Sequence, residues 1–110
     1  MRQGELWWAE LNPVDGLEQA GRRPVLIISG NLLNENTDIA IICPLTSKLK
    51  RYHGNLILEV SDENGLPENS EVLTWQIRTV AKARLKDKIG SISINEVEKV
   101  HRTLGDILKY

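Results

Sequence analysis

The sequence predicts a mainly β fold with one helix (α+β), arranged as a small, strongly bent antiparallel β-barrel with a C-terminal amphipathic helix. Short apolar runs separated by turn-forming residues extend from about residue 5 to residue 90, which is typical of a sheet of short strands. Apolar residues recur at helical spacing only in the last segment. An open α+β sandwich satisfies the same observations. A chain of 110 residues supports one core, so residues 1–110 are predicted to form a single domain.

Two kinds of apolar pattern define the strands. Continuous runs, such as Ile39–Leu45, indicate strands covered on both faces. Alternating runs indicate one buried face: Leu56, Leu58 and Val60 share a side, and Trp75 falls on the core side with Leu73 and Ile77. Strands are predicted at Glu5–Leu11, Val25–Ser29, Ile39–Leu45, Asn55–Val60, Glu71–Thr79 and Ala83–Ile89, with a short helical turn at 32–34.

The helix has both a start signal and an apolar stripe. Ser93 followed three residues later by Glu96 fits a capping box. The pattern then predicts an amphipathic helix over roughly residues 94–109 that packs on the sheet. Its apolar positions are Ile94, Val97, Val100, Leu104, Ile107 and Leu108.

Charge and composition limit the function classes. The net charge of −1 argues against general nucleic-acid binding, but the charges are segregated. Residues 48–53 and 78–88 are basic, whereas 5–18 and 59–71 carry only acids, so either a positive groove or ordinary solvated loops result. No apolar run approaches the ~18 residues of a membrane span, and no signal-peptide core is present. The single Cys43 lies in an apolar run, which predicts a buried thiol and a reducing, cytoplasmic location.

Familiar catalytic and cofactor motifs are absent from the sequence. One cysteine and two histidines cannot complete a usual zinc set, so neither a metal nor a cofactor is expected. What remains is an arginine with hydroxyls. If strands 25–29 and 39–45 pair antiparallel, Arg23 stands beside Thr46 and Ser47, where a guanidinium and a hydroxyl can bind a phosphate and stabilise a pentacoordinate transition state. The alternative is that these residues, with Arg22, are surface and turn positions only.

Five successive segments resemble the MazF/PemK family of toxins in order and spacing. They are Gly4–Trp8, Gly16–Ser29, Pro44–Ser47, Gln76–Val80 and Arg84–Gly90. The resemblance implies an SH3-like, CcdB-like barrel that works as a homodimer. It also implies metal-independent cleavage of single-stranded RNA (mRNA) to 2′,3′-cyclic phosphate and 5′-hydroxyl ends, and inhibition by a cognate antitoxin whose disordered segment folds on binding.

The resemblance also implies roles for individual residues. Arg23 and Thr46 match the main catalytic pair, and Glu18 matches an acidic loop position. Gln76 and Arg78 match a block near the substrate groove. Together with Arg22, Ser47 and Lys48 these two are assigned to RNA binding.

One position departs from the family pattern. Several relatives carry an acid where this chain has Trp75, which leaves the general base open between Glu18, a water and a phosphate oxygen. Periodicity places Trp75 in the core, and the alternative is that its indole stacks on a base. Two other functions stay open: a non-enzymatic, CcdB-like topoisomerase inhibitor, and an RNA-binding protein without catalysis.

Overall fold

The structure is a computed structural model that describes residues 1–11 and 21–110 of the chain. These ranges contain seven strands, two α-helices and two 3₁₀ turns, Thr74–Gln76 and Lys82–Arg84, which precede and follow the sixth strand. The elements are β1 (Glu5–Leu11), β2 (Gly21–Ile27), α1 (Asn31–Asn36), β3 (Ile39–Thr46), β4 (Ile57–Leu58), β5 (Ser70–Val72), β6 (Arg78–Ala81), β7 (Leu85–Ser91) and α2 (Ile94–Lys109).

The sheet is antiparallel and is organised around β3. The strand order is β4-β5-β3-β2-β1-β7, and β6 also pairs with β3. One edge of β3 pairs with β2, and the other edge pairs with β6 near its start and with β5 at its end. The sheet curls into a half-barrel with α2 packed against it, which confirms the predicted α+β class and the C-terminal helix.

Both faces of the central strands are buried, as the continuous apolar runs predicted. One face contributes Leu26, Cys43 and Leu45 to a core that also includes Val100 of α2. The other face contributes Val25 and Ile42, among others, to a second core. Burial raises the pKa of the Cys43 thiol to about 12, so this cysteine is an inert core residue.

The C-terminal helix begins at the predicted capping box. The Ser93 hydroxyl accepts a hydrogen bond from the Glu96 amide at 3.1 Å, and Glu96 Oε1 accepts one from the Ser93 amide at 2.9 Å. Val97 and Val100 are buried on the sheet, but Ile94 and Leu108 are exposed, so only part of the apolar stripe is covered. In the described ranges no helix combines the length and the apolar character needed to cross a membrane.

The predicted strand over Glu71–Thr79 is wrong in one respect. Leu45 pairs with Val72 and Ile42 pairs with Arg78, so six steps along the chain oppose three steps along β3. The three extra residues form the 3₁₀ turn Thr74–Gln76, which interrupts the strand like a bulge.

That interruption overturns the predicted burial of Trp75. A strand alternates its side chains across the sheet, but a bulged turn re-aims them, and Trp75 is 48% exposed. The predicted burial of Val60 is also wrong, because β4 ends at Leu58 and Val60 is 51% exposed.

The second predicted strand begins earlier than expected. β2 starts at Gly21 rather than Val25, because its ladder with β1 continues through Glu10–Arg22 to Leu11–Gly21. Arg23 therefore lies within a paired strand and not at the strand's root.

We expect Ser93→Ala to lower the free energy of unfolding by about 1 kcal/mol, because it removes the oxygen that caps the Glu96 amide. Urea denaturation followed by circular dichroism measures the change. Ser91→Ala is the matched control, since Ser91 is an exposed serine at the end of β7 outside the capping box. Equal stabilities of the two variants would contradict the assigned role of the cap.

Candidate functional site

The pairing of β2 with β3 brings Arg23 and Thr46 together. Val25 is the partner of Pro44, so the same antiparallel register continued by two residues places Arg23 opposite Thr46. Directly opposite residues of an antiparallel pair project from the same face of the sheet. The register therefore agrees with the predicted proximity of Arg23 and Thr46.

The Thr46 hydroxyl is held in a defined orientation. Its Oγ1 accepts a hydrogen bond from the Lys48 amide at 3.1 Å, which leaves the hydroxyl proton to be donated to an anion. Thr46 is 5% exposed, whereas the next residue, Ser47, is exposed. A phosphate can therefore contact Ser47 at the surface, and contact with Thr46 requires the groups that cover it to shift.

A buried carboxylate that the sequence pattern did not single out supports this end of β3. Glu71 is the strand partner of Thr46 and is fully buried. Its Oε1 accepts the amides of Lys50 at 2.7 Å and Arg51 at 2.6 Å. Its Oε2 accepts the Tyr52 amide at 3.1 Å and Asn55 Nδ2 at 2.9 Å.

Three successive amides directed at one carboxylate form an anion-binding nest. This geometry explains why Arg51 adopts a φ of 56°, in the left-handed region that a residue with a side chain rarely occupies. Burial raises the pKa of Glu71, but the hydrogen bonds from Asn55 and the three amides outweigh it, so the net pKa lies below its ordinary value. These hydrogen bonds fix the loop that follows Thr46, with its backbone amides directed at the buried carboxylate.

The other predicted site residues are distributed around the Arg23–Thr46 pair. Lys48 is exposed in the loop after Thr46. Gln76 is half-buried on the 3₁₀ turn, and Arg78 is half-buried opposite Ile42. Ile42 and Thr46 are four residues apart in β3, so Arg78 shares the face of Thr46 but lies about 13 Å away along the strand.

Arg22 lies apart from the Arg23–Thr46 pair. Arg22 alternates with Arg23 along β2, so its side chain projects from the opposite face. There it lies 5.1 Å from the centroid of the Trp8 ring and forms ion pairs with Asp87 at 3.2 Å and Glu10 at 4.0 Å. The predicted catalytic position of Glu18 lies outside the described residues.

A small cavity of about 90 Å³ adjoins this region. Arg23 and Ser47 contribute to its lining, together with Trp8, Pro24, Leu45, Pro67, Glu68 and Ser70. Pro24 and Leu45 are the strand neighbours of Arg23 and Thr46, and Trp8 is the partner of Pro24, so these three side chains project from the opposite face of the sheet. The cavity therefore lies beside the Arg23–Thr46 pair and does not enclose it.

A curled antiparallel half-barrel with a C-terminal helix, and with an arginine opposite a threonine in its strand register, defines a small β protein with a candidate site for an anion such as a phosphate. The comparison with family models then gives the identity. The chain belongs to the family of PemK-like, MazF-like toxins of type II toxin–antitoxin systems, whose model matches residues 2–108.

Individual relatives agree with this assignment. The endoribonuclease EndoA of Bacillus subtilis is 33% identical over 94% of this chain and 90% of its own length. The crystal structure of MazF from Deinococcus radiodurans is 27% identical, with a TM-score of 0.83 over 100% of this chain and 97% of that one. An endoribonuclease from a mycobacterial species, in complex with its cognate antitoxin, has the same fold at 23% identity, with a TM-score of 0.79 over 98% and 94% of the two chains.

We expect the free energy of unfolding to fall as the pH decreases below about 4.5, the ordinary pKa of glutamate. The pKa values of both Glu71 and Glu5 are lowered in the folded protein: burial raises that of Glu5, but bonds from the Arg2 amide, Trp7 and Lys88 outweigh it. The unfolded chain therefore binds more protons in this range, and stability is lost.

Glu71→Gln should reduce this pH dependence and lower stability at pH 7 by about 2 kcal/mol or more, because an amide cannot accept all four hydrogen bonds. Urea titrations between pH 3 and pH 7 measure both effects. Glu59→Gln, which changes an exposed glutamate beside β4, is the control. A Glu71→Gln variant as stable as this control at pH 7 would refute the role assigned to the nest.

Proposed function

We propose that this chain is a sequence-selective, metal-independent endoribonuclease that cleaves single-stranded RNA as the toxin of a toxin–antitoxin module. The observation that carries the proposal is the register of β2 and β3, which opposes Arg23 and Thr46 in a member of the toxin family. The relative EndoA is named an endoribonuclease, and it covers nearly the whole chain. These matches do not favour the topoisomerase inhibitor considered as an alternative.

In the proposed reaction the ribose 2′-oxygen attacks the adjacent phosphorus. A bond forms between the 2′-oxygen and phosphorus, the bond from phosphorus to the 5′-oxygen breaks, and the products carry a 2′,3′-cyclic phosphate and a 5′-hydroxyl. Negative charge accumulates on the phosphoryl oxygens as the attack proceeds. The Arg23 guanidinium, which is permanently charged, and the Thr46 hydroxyl stabilise that charge.

Two protons must also move. The 2′-hydroxyl loses one to a base, and the departing 5′-oxygen gains one. Glu18 is our candidate for this exchange on the family resemblance alone, and a water or a phosphate oxygen is the alternative carrier. Ser47, Lys48, Gln76 and Arg78 are proposed to bind the RNA backbone on either side, and Arg22 contributes charge at the margin of the site.

The proposal extends to partners and location. A mycobacterial endoribonuclease of this fold binds a cognate antitoxin, and we propose that this chain has an antitoxin too, in the cytoplasm. We also propose a homodimer. The uncovered apolar residues of α2 support an assembly surface, since Ile107 is 44% exposed and Leu108 is 77% exposed.

The decisive experiment is cleavage of an RNA pool in the presence of EDTA. Arg23→Ala should lower kcat by about 10³-fold or more, and Thr46→Val by about 10²-fold, because each removes a group that stabilises the transition-state charge. Thr46→Ser should retain most of the activity, since it keeps the hydroxyl. Arg102→Ala, which removes an exposed arginine of α2, is the control and should cut normally.

Mapping the RNA ends completes this test. We expect 5′-hydroxyl ends, which a kinase labels without prior phosphatase treatment, clustered at one short sequence. Full activity of a folded Arg23→Ala variant would remove Arg23 from the mechanism. Binding without cleavage by the wild type would identify an RNA-binding protein instead of an enzyme.

A further inference from the structure

Two aromatic side chains, Tyr52 and Trp75, lie exposed and in contact with each other. Tyr52 is 49% exposed and Trp75 is 48% exposed. Their ring centroids are 6.3 Å apart and the ring planes meet at 74°, an edge-to-face contact. In such a contact the ring that presents its edge keeps both of its faces out of the pair, so a flat partner can still stack there.

Both rings are carried by backbone that is firmly held. The amide of Tyr52 donates to the buried carboxylate of Glu71. Trp75 lies in the three-residue turn whose flanks are fixed by two bonds: the Leu73 amide donates to the Pro44 carbonyl at 2.9 Å, and the Gln76 amide donates to the Leu73 carbonyl at 3.0 Å. The rings are therefore pre-positioned, which reduces the entropy lost when a partner binds.

The two segments that carry this pair both adjoin Glu71. Glu71 is opposite Thr46 and so projects from the same side of the sheet, and the 50–52 backbone bonds to its carboxylate there. Trp75 follows Glu71 by four residues along the same edge of β3, at most about 13 Å farther on. Both segments also contact α2: the Thr103 hydroxyl donates to the Gly54 carbonyl at 2.6 Å, and the Thr74–Gln76 turn packs near the helix.

The charges around the pair are positive. Because the carboxylate binds the loop amides from within, the side chains of Lys50 and Arg51 extend outward and are exposed, as is His53. The segment 48–53 contains no acid. Exposed aromatic rings within a cationic surface are the usual means of holding single-stranded nucleic acid, with bases on the rings and phosphates on the cations.

We propose that Tyr52 and Trp75 form a binding site for one unpaired base of the RNA. This inference rests on the proposed function, since it assigns part of the substrate of that site. RNA suits the surface better than a second copy of the chain: a two-fold interface centred on the pair would bring the same cations of two chains together.

Binding of a cleavage-resistant RNA tests the proposal without depending on catalysis. The probe is a fluorescent 12-nucleotide RNA of mixed sequence with 2′-O-methyl ribose at every position, so that no 2′-hydroxyl can attack. Fluorescence anisotropy gives Kd for the wild type and for Trp75→Ala, Trp75→Phe and Tyr52→Ala. Tyr110→Ala is the control, since Tyr110 is a 93% exposed aromatic residue at the chain's end.

We expect Trp75→Ala to raise Kd by about 10- to 100-fold, the usual effect of removing one stacking ring. Trp75→Phe, which keeps a ring, should stay within about threefold of the wild type, and so should Tyr110→Ala. Moving a single abasic nucleotide along the probe should weaken binding to the wild type at one central position. The abasic nucleotide should have little further effect on the Kd of Trp75→Ala, because in that variant the base has already lost its stacking partner.

Several outcomes would overturn the inference. One is equal Kd for Trp75→Ala and the wild type. Another is an equal rise in Kd, caused by the abasic nucleotide, for the wild type and for Trp75→Ala. A third is a monomeric mass for Trp75→Ala, with a dimeric wild type, in sedimentation at micromolar concentration, which would show that the ring belongs to an interface between copies.

Failure of the proposed function gives a different result. The wild type could bind the probe, with a higher Kd for Trp75→Ala, and yet cut no RNA. That result would support the base site and refute the proposed endoribonuclease activity. If the wild type and Trp75→Ala both cut RNA with the same KM, the proposed activity is supported and the base site is refuted.

Discussion

The buried carboxylate of Glu71 lies between Thr46 and the loop that follows it, and the shape of that end of the molecule depends on this one group. A charge without solvent is stable only when its oxygens are fully hydrogen-bonded, and four donors meet that requirement here. The arrangement has a directional consequence. Three consecutive amides point inward, and the side chains of Lys50, Arg51 and Tyr52 are exposed to solvent.

Local patterns in the sequence were sufficient for much of the fold. β1 has the predicted bounds, β3 ends one residue later than predicted, and α2 begins at its capping box. In each case the signal is contained within the element itself, as an apolar run or a cap. The opposition of Arg23 and Thr46 could also be predicted, because two antiparallel neighbours joined by a connection must bring the start of one near the end of the other.

The features that sequence reasoning missed depend on what lies across the sheet. Alternation continues through Glu71–Thr79, yet three of these residues have no counterpart on β3, so Trp75 turns outward. Glu71 belongs to the acidic segment 59–71, yet it follows buried Ser70 and precedes buried Val72. An acid between two core residues of a strand was the available signal, but its donors come from backbone amides about 20 residues away, which side-chain patterns cannot reveal.

The exposed Trp75 bears on how the proposed chemistry divides between binding and proton transfer. The family resemblance implies an acid at this position in several relatives, and a carboxylate can accept a proton but repels an RNA backbone. An indole cannot accept that proton, and it removes the repulsion and adds a stacking surface. In this chain, therefore, proton transfer has to come from another group. If an RNA base stacks on Trp75 as proposed, its ground-state contacts lower KM more than they raise kcat.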